Sequence, residues 1–421
     1  MKHLQVIRKG LHKKKRTMML QGIKVLSFTH FMQGPSAVQM LADLGADVIK
    51  VERREGAYER FWSGMDTYKN NVSVFFLLAN RNQKSLAIDL RTEEAKEIIY
   101  KLVKDTDVVV ENYRPGVMDR LGFGYEKLKE INPKLIYCSC SGYGLDGPYV
   151  KKPGQDLLIQ SLSGLMSLSG RRNDPPTPVG TAVVDQHGAV LAAFGVVSAL
   201  FNRERTGEGC KVENSLLNAA LDLQSESLAY YLNKGEIWDR SDTGLASRFH
   251  QSPYGVYKTK DGYLTVSNTP VEKLADILQS ETLSHYTSKD QMIKRDEIDK
   301  IFSDIMKTRT TTEWEEFFTI HEVWYARVND YKAVVEDEQV KWNEIIFTYN
   351  HPDAGEIKLV NHPIHYNGKA VKQRLHQPAI GEQSVEILKQ YGYSDAAIKE
   401  LIEKGIIVSS ERKADEPKDQ A

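Results

Sequence analysis

Cysteine is scarce in this sequence, with Cys138, Cys140 and Cys210 the only three in 421 residues. That excludes a disulfide framework, and no further Cys stands close enough to complete a C-x-x-C or zinc pattern. Cys138 and Cys140 lie in Ile136-Tyr137-Cys138-Ser139-Cys140, which alternates like a strand and turns both sulfurs to one face as small buried groups. An excess of one charge is missing as well. Lys and Arg (56) against Asp and Glu (57) leave a net charge of -1, so no global field draws in nucleic acid or an anionic membrane. The longest apolar run, Ala189 to Phe201, is interrupted by Gly195 and Ser198 and is too short for a bilayer. The histidines are scattered without an H-x-x-x-H pair beside acids, so no metal is expected. Walker A and G-x-S-x-G loops are absent. Gly142-Tyr143-Gly144-Leu145-Asp146-Gly147 spells G-x-G-x-x-G, but Pro148 disfavours the helix that a dinucleotide turn needs.

What is present is an ordinary globular composition, 41% hydrophobic and 27% charged, in a chain long enough for two or three domains. Residues 1–18 read as a disordered basic extension, because Lys and Arg crowd there and no acid precedes Asp43. A transit peptide is the other reading, but the stretch lacks serine. A cytoplasmic location is expected.

From Gly22 short apolar runs alternate with amphipathic stretches. Ile23 to Phe28, Asp47 to Glu52, Asp107 to Glu111 and Leu135 to Tyr137 read as strands. A helix through Ala37, Met40, Leu41 and Leu44 and another from Thr92 to Lys104 lie between them, the second opened by Thr92 with Glu93 and Glu94 in its first turn. The pattern predicts an α/β fold, a Rossmann-like parallel sheet binding ligands at the carboxyl ends of its strands. Further on, Tyr254 to Thr259 and Tyr263 to Val266 flank Lys260-Asp261-Gly262 as a hairpin. The expected organisation is a large domain over 19–225, a linker over 226–245 and a smaller α+β domain over 246–370. C-terminal helices over 371–410 return to the large domain, and a disordered tail covers 411–421.

Asp185 is the unusual residue. It interrupts the small apolar run Val179-Gly180-Thr181-Ala182-Val183-Val184 just before Gly188-Ala189-Val190-Leu191-Ala192. On composition alone an N-cap is the better reading. The same position suits a nucleophile, since a helix N-terminus favours the carboxylate form.

Several ordered blocks carry a resemblance. They are Gly22-Ile23-Lys24-Val25-Leu26 with Gly34-Pro35, and Gly45-Ala46-Asp47-Val48-Ile49-Lys50-Val51-Glu52. Asn82-Gln83-Lys84-Ser85-Leu86, Val110-Glu111-Asn112-Tyr113-Arg114-Pro115-Gly116 and Asp119-Arg120-Leu121-Gly122 follow. Ser141-Gly142-Tyr143-Gly144, Gly164-Leu165-Met166 and Thr206-Gly207-Glu208-Gly209 complete the series. From Gly22 to Val408 the chain resembles the class III CoA-transferases, the family of formyl-CoA and carnitine CoA-transferases. The resemblance implies an interlocked homodimer that moves CoA from an acyl-CoA to a free carboxylic acid. Coenzyme A is then a substrate, and no tightly bound cofactor is implied. It places the nucleophile at Asp185, carrying an aspartyl-CoA thioester.

The same resemblance maps CoA contacts onto Met32, Gln33, Arg53, Ile88, Asp89, Leu90, Arg91, Asn112, Tyr113, Arg114 and Arg120, and onto Lys152, Pro153, Gly154 and Gln155. Arg53, Arg120 and Lys152 suit phosphates, and Tyr113 or an Arg plane suits the adenine. Asp156 matches a position where the family often has an acid. It orients the site or caps the helix toward Leu165. Two departures matter. Ser247 to Gly255 replaces the Gly-rich shielding loop of formyl-CoA transferase, which leaves Arg248 and His250 as candidates for the acceptor carboxylate. The related racemases carry Gly-His-Asp where this chain has Gly154-Gln155-Asp156. Gln155 exchanges no proton, so transfer is preferred over racemisation. A racemase or a catalytically silent CoA-binding homologue is the alternative.

Overall fold

The computed structural model describes residues 18–410. The expected tail and all of the basic extension except Met18 lie outside them.

The described residues fall into two compact units: 18–153 with 185–216 and 343–410, and 154–184 with 217–342. The first is built on a seven-stranded sheet. Its strands are β1 (Lys24–Phe28), β2 (Asp47–Glu52), β3 (Gln83–Ile88), β4 (Val108–Glu111), β5 (Ile136–Ser141), β6 (Lys211–Ser215) and β7 (Ile407–Val408). They lie in the order β7-β3-β2-β1-β4-β5-β6. All neighbours are parallel except the edge pair β7 and β3. The order 3-2-1-4-5-6 is doubly wound, and its direction reverses between β1 and β4.

Both faces of the sheet are buried, which is why its strands read as runs of Val, Ile and Leu rather than as alternation. Val25, Val48, Val108, Val110, Cys138 and Cys140 face one side. There they meet α1 (Gln33–Asp43) and a second long helix (Val183–Thr206) through Ala37, Val38, Leu41, Ala192 and Val196. Leu26, Phe28, Val51, Leu86, Val109 and Tyr137 face the other side, against Ile98, Ile99, Leu102 and the C-terminal Ile387, Ile398 and Leu401. Thr92 caps the helix Glu93–Val103 as expected, accepting from Ala95 N at 3.2 Å.

The helix Val183–Thr206 has 24 residues and extends beyond the apolar run Ala189 to Phe201 at both ends. By length and composition it could cross a membrane, contrary to the expectation from that run alone. Its Ala189, Ala192, Val196 and Ala199 are packed in the sheet core.

The second unit has a three-stranded antiparallel sheet of Tyr254–Lys258, Tyr263–Ser267 and Trp324–Arg327, with the expected hairpin pairing Tyr263 to Lys258. Its core surrounds Trp314, Phe302, Phe318 and Leu264. The hairpin Ile346–His351 and Gly355–Val360, expected within 246–370, packs instead with the first unit, where Ala354, Ile357 and Leu359 meet Leu77. After β6 the chain forms two helices, Leu216–Leu223 and Ser225–Lys234.

One buried clasp ties distant parts of the first unit. Arg81 forks onto Asp43 at 3.0 and 2.6 Å, and Asn82 Nδ2 donates to the same carboxylate at 2.7 Å. Asn82 Oδ1 accepts from the backbone N–H groups of Arg374 and Leu375 at 2.6 and 2.8 Å. Both ionised partners are almost wholly buried. Asp43→Ala leaves the Arg81 guanidinium buried without its counter-ion, and the expected cost is about 3–5 kcal/mol, read as a fall in the urea unfolding midpoint.

Candidate active site

The carboxyl ends of β1 and β4 define the crevice where strand order reverses, and the loops that follow them are locked together there. His30 N donates to Asn112 Oδ1 at 2.9 Å, and Asn112 Nδ2 donates back to His30 O at 2.8 Å. The amide side chain thus acts as a short extra strand between the two loops. Tyr113 stacks on the His30 ring at 5.2 Å between centroids and 28° between planes.

Beneath the β1 loop is a wholly buried ion pair, Lys50 Nζ to Glu59 Oε1 at 3.0 Å. Lys50 also donates to Thr29 O at 2.9 Å, and Glu59 Oε2 accepts from Phe31 N at 3.2 Å. Phe31 has φ 61, a left-handed turn that these bonds hold in place. The turn delivers Met32 as the residue capping α1 and Gln33 as its first residue.

Burial sets the charges in this crevice. It pushes the His30 imidazole down to about 4, so the ring is neutral, and its Nδ1 is buried without a hydrogen bond. It pushes the Glu111 carboxyl up to about 7, and Glu111 Oε2 accepts from Tyr113 N at 2.9 Å. The Tyr113 phenol is raised to about 12 by the same cause.

Asp185 is half-buried in the first turn of Val183–Thr206. It is the third residue of that helix, so it is not the N-cap that composition favours. The capping falls to Asp156, whose Oδ2 accepts from Val184 N at 2.7 Å. Asp156 therefore serves the helix that carries Asp185, in addition to opening its own helix, Asp156–Leu162. Gln160 supports this arrangement: its Nε2 donates to Asp156 Oδ1 at 2.5 Å, and its Oε1 accepts from Val179 N at 2.9 Å. Within the first unit α1 touches the turn after Asp185 twice. Gln186 Nε2 donates to Met32 Sδ at 3.2 Å, and a Cβ on Gly188 would stand 2.7 Å from Gln33 Nε2.

The structure thus sets Met32, Gln33, Asn112 and Tyr113 at the ends of β1 and β4, with Met32 and Gln33 against Gln186 and Gly188 of the helix that carries Asp185. His30, Lys50, Glu59 and Glu111, to which sequence reading gave no role in a site, support these strand ends. His30 is the one with a visible signal, at the strand end just before Met32-Gln33. Arg53 is exposed at the end of β2 and donates from Nε to Gly56 O at 2.7 Å. Arg114 and Arg120 are exposed after β4. Ile88 and Leu90 are core residues with their side chains turned inward, so only their backbone is open to a ligand. Arg91 is committed to Asp89 at 2.7 Å, and that hydrogen-bonded pairing holds the Asp89 carboxyl down at about 2. Lys152 lies over the Tyr149 ring at 3.7 Å, and Pro153 O accepts from Tyr143 Oη at 3.3 Å.

In the second unit Gly154 and Gln155 are exposed, and Gln155 occupies the cap position of Asp156–Leu162 without a side-chain cap bond. Arg248 donates to the carbonyls of Ser167 at 2.5 Å and Trp238 at 3.3 Å. His250 stacks on Tyr254 at 4.2 Å, with Nδ1 at 2.8 Å from Ser247 Oγ. Among the described residues no group of three or more His, Cys, Asp or Glu is placed to hold a metal ion.

Comparison with known proteins defines the class. The model for CoA-transferase family III matches residues 20–384. Human succinyl-CoA:glutarate CoA-transferase is 32% identical over 400 residues, covering 92% of this chain and 90% of that protein. Formyl-CoA:oxalate CoA-transferase of Streptomyces coelicolor is 31% identical over 412 residues, covering 92% and 99%. Among solved structures, a CaiB/BaiF family protein from Brucella suis superposes with a TM-score of 0.78 at 27% identity, covering 89% of this chain and 100% of that one. The chain belongs to CoA-transferase family III, and it is a CoA-transferase acting on CoA thioesters.

Glu111 supplies a pH test. Its folded value lies above the ordinary 4.5, so the unfolded chain ionises first and stability falls as pH climbs from about 4.5 to about 7. Glu111→Gln removes a loss of up to about 3 kcal/mol. Its melting temperature should change less than the wild type's between pH 5 and pH 8, measured by differential scanning fluorimetry.

Proposed function

We propose that Asp185 is the nucleophile and that CoA passes from an acyl-CoA donor to a free carboxylic acid through an aspartyl-CoA thioester. The observation that carries this is the placement of Asp185, half-buried in the first turn of a 24-residue helix, with Met32 and Gln33 from the strand-reversal crevice against the next turn. Asp185 attacks the thioester, giving a mixed anhydride and CoA thiolate. The thiolate then attacks the aspartyl carbonyl and releases the donor acid. The acceptor carboxylate attacks the resulting aspartyl-CoA, forming a second anhydride. CoA thiolate finally takes the new acyl group and frees Asp185. Each step exchanges one activated acyl bond for another, so no other energy source enters.

The names of the similar proteins, one acting with succinyl-CoA and glutarate and the other with oxalate, support small dicarboxylic acids as the substrate class. Arg248 and His250 remain the proposed acceptor contacts, and the exposed Arg53, Arg114, Arg120 and Lys152 the proposed phosphate contacts.

Incubation with succinyl-CoA and hydroxylamine, followed by peptide mass spectrometry, should place a hydroxamate on Asp185 alone. Asp185→Asn should lose transfer activity by at least about 10³-fold. An active Asp185→Ala variant would sink the reading.

A homodimer is the second part of the proposal. The helix Val183–Thr206 leaves Val190, Phe194, Val197 and Phe201 exposed, a stripe at helical spacing that a second copy would cover. Phe194, 70% exposed, is the most open of these. Phe194→Asp should move the protein from dimer to monomer in light scattering after size exclusion. An unchanged mass would remove this stripe from the interface.

A further inference from the structure

Gln33 is the first residue of α1 and is 5% exposed. Its side-chain Nε2 is buried and makes no hydrogen bond. An N–H group without an acceptor is a burden that packing alone gives no reason to keep. The amide lies against Gly188: a Cβ there would stand 2.7 Å from Nε2, so the missing side chain is what admits it. Gly188 follows Asp185 by three residues in the same helix. Positions at that spacing share a face, with about 5–6 Å between their Cβ atoms. Met32, through the Gln186 contact at 3.2 Å, holds this end of α1 against the same turn. A buried donor without a partner thus lies against the turn that follows Asp185.

The geometry points to Gln33 as a catalytic residue whose Nε2–H donates to the oxyanion formed when Asp185 attacks the thioester. This rests on the aspartyl-CoA reading above. In that step an Asp185 oxygen bonds the thioester carbonyl carbon and the carbonyl π pair moves onto oxygen. Collapse then expels CoA thiolate with the C–S electron pair. Nothing is oxidised or reduced, and no proton is consumed. The Gln33 donor gains a full partner only as charge gathers on that oxygen, so it acts on the transition state rather than on bound substrate. Met32, its neighbour, has no side-chain donor to offer.

Rapid-quench trapping of the Asp185 adduct with succinyl-CoA tests this, alongside CoA affinity by calorimetry. Gln33→Ala should slow adduct formation by about 10²–10³-fold, a loss well beyond any it causes in CoA affinity. Gly188→Ala should displace the amide and slow the step in the same way, and the double variant should be no slower than the slower single. Gln33→Met, which keeps the volume and removes the donor, serves if the Ala variant fails to fold. Adduct formation at the wild-type rate in a folded Gln33 variant overturns the assignment. So does a loss of CoA affinity equal to the loss of rate, or a double variant that multiplies the two losses. A wild-type protein that forms no adduct brings down the aspartyl reading as well.

Discussion

A carboxylate attacks a thioester only while it is ionised and held still, and the nucleophilic role proposed for Asp185 places that demand on its surroundings. The N-terminus of a 24-residue helix supplies positive electrostatic potential for it. The same helix end also presents N–H groups that need acceptors. Asp156 takes one of them, at Val184.

The crevice at the strand reversal depends on charges that never meet water. Lys50 and Glu59 are wholly buried, and a buried pair gains little net stability once desolvation is counted. What it supplies is geometry, since the remaining hydrogen-bond capacity goes to Thr29 O and Phe31 N on the β1 loop. Asn112 fixes that loop from the other side. Met32 and Gln33 therefore reach the Asp185 helix from a loop braced on both sides.

The alternation of strands and helices was legible because two-sided burial leaves near-continuous apolar runs, as at Val108-Val109-Val110. Asp185 was legible for the opposite reason, as an acid in a run of small apolar residues. Its place in the helix was not, because the cap comes from Asp156, a residue 28 positions away whose contact no local pattern reveals. Resemblance assigned Ile88 and Leu90 by position, and position does not say which way a side chain points; both face the core. The hairpin Ile346–Val360 has the same β texture as the second unit. Only its packing on Leu77 reveals that it belongs with the first.

The proposed reaction is addition rather than proton abstraction. Two-base racemisation needs a proton-exchanging group on each face of the substrate α-carbon. Gln155 has no exchangeable proton of useful acidity. His30, held down at about 4 by burial, is a weak base and stays neutral near pH 7. Glu111 titrates near 7 but is occupied with the Tyr113 backbone N–H. The proposed role of Asp185, in the first turn of its helix, is accordingly that of a nucleophile. The unpaired Gln33 donor fits the same chemistry, since an oxyanion calls for hydrogen-bond donors and racemisation would call for another base.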